Sequence, residues 1–319
     1  MIDRILIKKY VSQSSLLFWS CGFILFTFAW VRVWVGTFFN LSQYQTILDQ
    51  VKEFEHLAPI DFAALMSYAG QVAMVYDEPI VIVCIVIWCI SRGSDVVSGE
   101  LGRGTLEMML SQPISRTRLL FSHATVSITG LALLCMMVWG GLSLGVYTND
   151  VDEETPAPTV TVPLVNWEVP MGEPLVEKVP LKDRVDIATY ASPTFHLFSF
   201  GFFILALATL FSSLDRYRWR TVGSVMAVYI IQLVMFGLGK AAKSLDWLLN
   251  VSFFSCYKPQ KMASLVVDGG LAAPWSMTEV VPDEALPPLW YPLILLSLGI
   301  IFYAIAAVRF EKRDLPAPL

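Results

Sequence analysis

The sequence predicts an all-α polytopic membrane protein: six transmembrane helices, an N-terminal interfacial helix, and a short helix between the second and third spans. Three observations predict it. The 319 residues are 55% hydrophobic and only 15% charged, with a mean hydropathy of +0.61, whereas a soluble domain carries roughly 25% charged residues. Apolar runs of about 20 residues, enough to cross a hydrocarbon core of ~30 Å, recur from end to end. The charges gather in islands between these runs, so 1–319 reads as a single domain.

Residues 1–14 set Ile2, Ile5 and Leu6 against Lys8 and Lys9, the pattern of an interfacial helix whose lysines reach the headgroups. The apolar run behind it is too long for the h-region of a cleavable signal peptide. Leu16 to Phe39 is the first span, with tryptophans toward its ends. Arg32 in that span is costly unless it snorkels, pairs within the bundle or lines a pathway, which makes it a candidate pathway residue. Asn40 to Glu78 mixes acids with Leu41, Tyr44, Ile47, Leu48 and Val51 at helical spacing, an amphipathic excursion on the outer side. Pro79 suits the first position of the second span, because its missing N–H is not needed there; the run to about Ile90 is short, so the span continues through Tyr76 outward or Val97 inward. The third span, Leu119 to Tyr147, contains Gly141 and Gly145 four residues apart, a face of small residues that lets two helices approach closely. Either packing within the subunit or a dimer seam would use it.

Thr148 to Ser192 carries nine acids and an alternating Thr159-Val-Thr-Val162, a β-like outer loop. The fourth span is Pro193 to Leu214 and the fifth Thr221 to Leu238, joined by the basic turn Asp215-Arg-Tyr-Arg-Trp-Arg220. Leu245 to Pro288, with Trp247, Phe253, Phe254 and Trp275, is apolar enough to lie at the outer interface. Leu289 to Val308 is the sixth span.

Residues 91–118, between the second and third spans, form a polar island punctuated by glycine. Thr105 can cap a short helix, Glu107 sits in its first turn where the dipole favours a carboxylate, and Gly104 precedes it. Leu106, Met109 and Leu110 make one apolar edge. Pro113 ends the helix. A two-turn helix with an apolar ridge, fixed between two spans, is shaped to press into a groove on another protein.

The run Gly99-Glu-Leu-Gly-Arg-Gly-Thr-Leu-Glu-Met-Met-Leu-Ser-Gln-Pro-Ile-Ser-Arg116 resembles the cytoplasmic coupling segment of ABC-2 type permeases, the membrane subunits of ABC transporters. Asn250-Val-Ser-Phe-Phe-Ser-Cys-Tyr-Lys-Pro259 is similar to the re-entrant segment those permeases place before their last helix, and Arg309 to Asp314 to their usual terminus. The resemblance implies that the short helix is a cytoplasmic coupling helix. Glu100, Gly104, Thr105, Leu106, Glu107, Met109, Leu110, Pro113 and Arg116 would then form the ATPase-coupling element. It further implies two copies of a separate ABC ATPase subunit, a dimer with itself or a close homologue, and export from the cell. The outer loops at 40–78 and 148–192 differ from the family pattern and leave the substrate unread.

Thirteen Lys and Arg residues fall on the side of the termini and the short helix, against eight on the other. By the positive-inside rule both termini are cytoplasmic and the chain sits in the plasma or inner membrane. There is no P-loop, His-Glu-x-x-His or Gly-x-Ser-x-Gly motif, so no catalytic residue is expected, and any ATPase activity belongs to the partner. Cys21, Cys84, Cys89 and Cys135 lie in apolar runs and Cys256 stands alone, which argues against a metal or a disulfide framework. No cofactor and no nucleic-acid footprint is indicated. His123 and His196, near helix ends, read as satisfied interfacial residues. Two functions remain: the permease half of an ATP-driven exporter, or an anchor that docks a cytosolic complex without transport.

Overall fold

The computed structural model describes residues 4–38, 67–111, 114–155, 159–162, 167–170, 175–282 and 284–313. Most of the expected amphipathic excursion, residues 40–66, falls outside them, and so does Pro113. Six helical segments among the described residues are long and apolar enough to cross a membrane.

α1 runs unbroken from Arg4 to Gly36. The expected separate interfacial helix is therefore the first part of α1. No proline or glycine interrupts residues 4–20, so nothing breaks the helix there, and the hydroxyls of Ser14 and Ser15 are satisfied by carbonyls of the preceding turn. At 1.5 Å per residue its 33 residues span about 50 Å, more than the ~30 Å hydrocarbon core.

The second span is a composite rod. α2 (Tyr68–Ala73) and a 3₁₀ turn lead to Pro79, which opens α3 (Pro79–Ser94). A π-turn follows at Asp95–Gly99, then the short α4 (Glu100–Gly102). The span thus extends both outward past Tyr76 and inward past Val97, as far as Gly102. α5 (Thr105–Leu110) comes next, then α6 (Arg116–Thr148), whose first turn is capped by the Ser115 hydroxyl accepting from the Arg118 N–H at 3.3 Å. Beyond α6, β1 (Asp150–Thr155) pairs antiparallel with β4 (Leu175–Pro180), and β2 (Thr159–Val162) with β3 (Trp167–Pro170), as the valine alternation suggests.

α7 (Ala191–Leu214) is apolar all round and buried for most of its length, with α3, α6 and α11 (Trp290–Lys312) packed against it. That is where a helix without a polar face belongs. α8 (Arg218–Ala241) is its opposite: only Thr221, Val225 and Gly239 are buried. Cys21, Cys84, Cys89 and Cys135 are buried free thiols.

The small face of α6 serves packing within the subunit. A Cβ on Gly141 would collide with the Phe26 carbonyl oxygen of α1, and one on Gly145 would stand 2.7 Å from Val33 Cβ. Gly141→Leu is expected to lower the melting temperature sharply, because overpacking costs about 1–3 kcal/mol and backbone cannot yield as a side chain can. Gly140→Leu is the control, since its Cβ would meet only the Phe26 ring at 3.5 Å. Equal melting of the two variants in detergent would contradict this packing.

On the side away from α5, the segment 245–288 folds into α9 (Trp247–Val251), α10 (Pro259–Gly269) and 3₁₀ turns. Phe253 and Phe254 stack on each other, and Phe253 lies 4.9 Å from Phe203, centroid to centroid. Phe203 is twelve residues into α7, about 18 Å along it, so this segment dips into the bundle. Glu284 clasps it to α11. Its carboxylate accepts from Lys258, from Lys261 at 2.9 Å and from the Tyr291 hydroxyl at 2.5 Å. Burial alone would push the Glu284 pKa up, and those three hydrogen bonds more than reverse it, leaving it below the usual carboxylate value. A lowered folded pKa means that the unfolded chain binds more protons between the two values. The stabilisation is therefore fully present above the unfolded value of about 4.3 and fades as pH falls through the folded one. The melting gap between wild type and Glu284→Gln is expected to hold steady from neutrality to about pH 5 and to close in stronger acid. A gap independent of pH would remove the clasp.

Candidate functional site

The helix ends near Arg4, Gly102, Arg116, Leu214, Arg218 and Lys312 meet on one side of the bundle. Lys9 bonds Glu100, Arg218 bonds Asp95, Arg116 bonds the carbonyls of Phe310 and Glu311 at 3.1 and 3.2 Å, and Arg313 bonds that of Ser213 at 2.9 Å. Both ends of the described chain thus lie on the same side as α5.

The site is built from the end of the second span. Ser212 of α7 puts its hydroxyl where two N–H groups of that rod need an acceptor: Val97 N donates to it at 3.2 Å and Ser98 N at 2.9 Å. A side chain inserted into the i→i−4 ladder widens it, and the result is the π-turn. Ser98 in turn bonds Thr221 at 3.0 Å, tying α8 to the same point. The π-turn holds Asp95 inside the bundle as a hub for three guanidiniums. Arg103 donates at 2.8 Å, Arg218 lies 3.5 Å away and Arg92 3.8 Å. The Asp95 bond is the main cause that raises the Arg103 pKa above its ordinary value.

Glu100 is the second hub and is fully buried. Lys9 of α1 approaches both of its oxygens at 3.1 Å, and Arg103 lies 3.2 Å from one. The Thr105 hydroxyl donates to its carboxylate as well as to its backbone carbonyl. That donation uses the hydroxyl proton and leaves the oxygen's lone pairs available for an N–H of α5, so it is compatible with the expected cap. Gly104 makes the reversal between α4 and α5 with φ of +71°, a conformation costly for any residue with a Cβ.

The placement of the remaining predicted residues corrects several expectations. Leu106 is fully buried in the chain's own core, and Met109 is half-buried against the cluster of Leu6, Tyr10 and Val126, with its sulfur 3.2 Å from Lys9 Nζ. The Leu106 and Met109 edge therefore faces inward, because the apolar N-terminal part of α1 already covers it. Among the described side chains of α5 the exposed large one is Met108, at 69% exposure. The side chains of Glu107 and Leu110 lie outside the described set. Arg116 holds the end of α11 rather than pointing outward. Arg32 takes the bundle option: its Nε is 2.8 Å from Glu78, and it borders a small cleft with Gly36, Tyr68 and Val151. His123 and His196 are buried, at 2% and 1% exposure.

Sequence reasoning missed Lys9, Asp95, Ser212 and Arg218. Beside them lie buried donors without a hydrogen-bond partner among the described residues: the Tyr10 hydroxyl, Arg92 Nε and Nη2, and His123 Nε2. Tyr10 and His123 meet edge to face at 4.8 Å. Among the described residues no three His, Cys, Asp or Glu side chains are grouped to hold a metal ion. The arrangement offers no nucleophile or general base in a cleft. It is a mechanical junction that binds α1, α3, α7 and α8 to the strip carrying α5.

Comparison with known families agrees with this geometry. The family described as ABC-2 family transporter protein matches residues 10–315, which covers the junction except Lys9, and the whole of the segment 245–288. No curated protein matches the chain. With six spanning helices and a match over nearly its whole length, the chain belongs to the ABC-2 transporter family, as a multi-pass membrane permease.

Proposed function

We propose that this permease is half of the membrane pathway of an ATP-driven exporter, and that it pairs with a second copy or a close homologue. Two ATPase subunits on the cytoplasmic side of the cell membrane would drive it through α5. The observation that carries this reading is the connection of α5 to α1, α3 and α8 through Glu100 and Asp95, and to α7 through Ser212. A push on its exposed Met108 edge is delivered to the bundle instead of being lost in a loose loop. Neither hub reaches water as a substrate site would, so the chain transmits work and leaves ATP hydrolysis to its partner.

The test is co-expression with the candidate ATPase, followed by reconstitution. Co-purification and ATP turnover that responds to transported substrate support the exporter. A docked ATPase that never drives transport leaves only the anchor. Orientation is checked on intact cells with cysteines at two exposed sites, Ser111→Cys beside α5 and Asp152→Cys on β1. An impermeant thiol reagent is expected to reach the second and not the first, and the reverse would invert the topology.

A further inference from the structure

The turn between α7 and α8 holds a second feature that the junction does not use. Arg216, Arg218 and Arg220 alternate with Tyr217 and Trp219. Arg218 is taken by Asp95 and Ser91. Arg216 and Arg220 are not: neither guanidinium has a hydrogen bond or ion pair to a described residue. Their guanidiniums lie on aromatic faces instead. Arg216 is 5.9 Å from the Tyr217 ring, and Arg220 is 5.4 Å from Tyr217 and 5.3 Å from Trp219. Stacking uses the face of a guanidinium and leaves its N–H edge free for a planar or tetrahedral oxyanion.

The depth of the turn says which oxyanion. α8 has 24 residues, about 36 Å, so its first turn stands just outside a hydrocarbon core of ~30 Å. Tyr217 and Trp219 are 46% and 70% exposed, and such rings favour the headgroup layer. Phosphate is the anion at that level. A second copy of the chain is a poorer occupant, because it would bring the same basic-rich side, on which Asp95 and Glu100 are already buried and paired. We infer that Arg216 and Arg220, held by Tyr217 and Trp219, form a binding site for the phosphate group of an anionic phospholipid in the leaflet on the α5 side.

The full chain is reconstituted in phosphatidylcholine vesicles with a minor fraction of lipid carrying brominated acyl chains. The headgroup of that lipid is either phosphatidylglycerol or phosphatidylcholine. Trp219 quenching is the difference between wild type and Trp219→Phe. Brominated phosphatidylglycerol is expected to quench Trp219 several-fold more than brominated phosphatidylcholine at equal mole fraction. Arg216→Gln with Arg220→Gln is expected to bring that preference close to one, while quenching by the choline lipid persists and shows that Trp219 still meets the bilayer. Should the double variant fail to accumulate, Arg220→Gln alone is expected to lose a smaller part of the preference.

Inorganic phosphate added in excess is expected not to abolish the preference; if it does, the site recognises free anion and the lipid assignment falls. Equal quenching by both headgroups in wild type, or an unchanged preference in the variants, overturns the site. Trp219 unquenched by either lipid but cross-linking to another copy assigns this face to a protein contact and overturns it as well.

Discussion

A chain carrying Met108→Asp is expected to accumulate and melt as wild type does while losing its hold on the ATPase; Leu106→Asp is expected to fail before any partner is met. The two residues are neighbours on one short helix, and their surroundings are opposite. Met108 is 69% exposed and Leu106 fully buried. A carboxylate at 108 stays hydrated in the free chain, so folding is unaffected. In a docked complex the same carboxylate must shed its water, at about 1–3 kcal/mol or more without a new partner, which lowers affinity roughly tenfold to a hundredfold. At 106 the change removes packing worth about 2–5 kcal/mol and adds a buried charge. Melting in detergent and a pull-down of the ATPase separate the two effects. A Met108→Asp chain that binds and stimulates the ATPase normally would remove α5 as the docking element.

Loss of the two hubs should be felt as strongly, in a different measurement. Glu100→Ala leaves Lys9 and Arg103 facing a buried gap, and breaking a buried ion pair costs about 3–5 kcal/mol. Lys9 and Arg103 are 31% and 40% exposed and recover some hydration, so the lower part of that range is expected. Glu100→Gln keeps the shape and an acceptor oxygen, and should cost less. Asp95→Ala should cost most, because three guanidiniums lose their common partner. The order Asp95→Ala, Glu100→Ala, Glu100→Gln in decreasing loss of melting temperature is the expected result. A Glu100→Ala chain that melts like wild type would show that the hub carries no load.

The spans were legible because lipid imposes long apolar runs, and Pro79 and Gly104 because each suits a backbone position that few other residues do. The junction was not legible. The shortness of the second span allows it to continue inward to Val97, but Ser98 to Gly102 reads as a loop, since its charge and glycines break any apolar period, yet it folds as helix because distant residues satisfy it. Lys9 is 91 residues from Glu100, and Ser212 is 115 from Val97. Nothing local announces such pairs. The spacing of Leu106 and Met109 correctly marked an apolar edge. It could not say that α1, more than ninety residues upstream, would cover that edge.

The π-turn at Asp95–Gly99 stores one residue more than an α-helix would in the same rise. Withdrawing the Ser212 hydroxyl would let the ladder close, turning everything beyond Gly99 through about 100° and shifting it about 1.5 Å along the axis. Such a slip would carry Glu100 away from Lys9, and a cysteine pair at those positions in a Ser212→Ala chain would report it as lost cross-linking. The second span is in this sense a screw with one thread held open, its catch a single serine on the neighbouring helix.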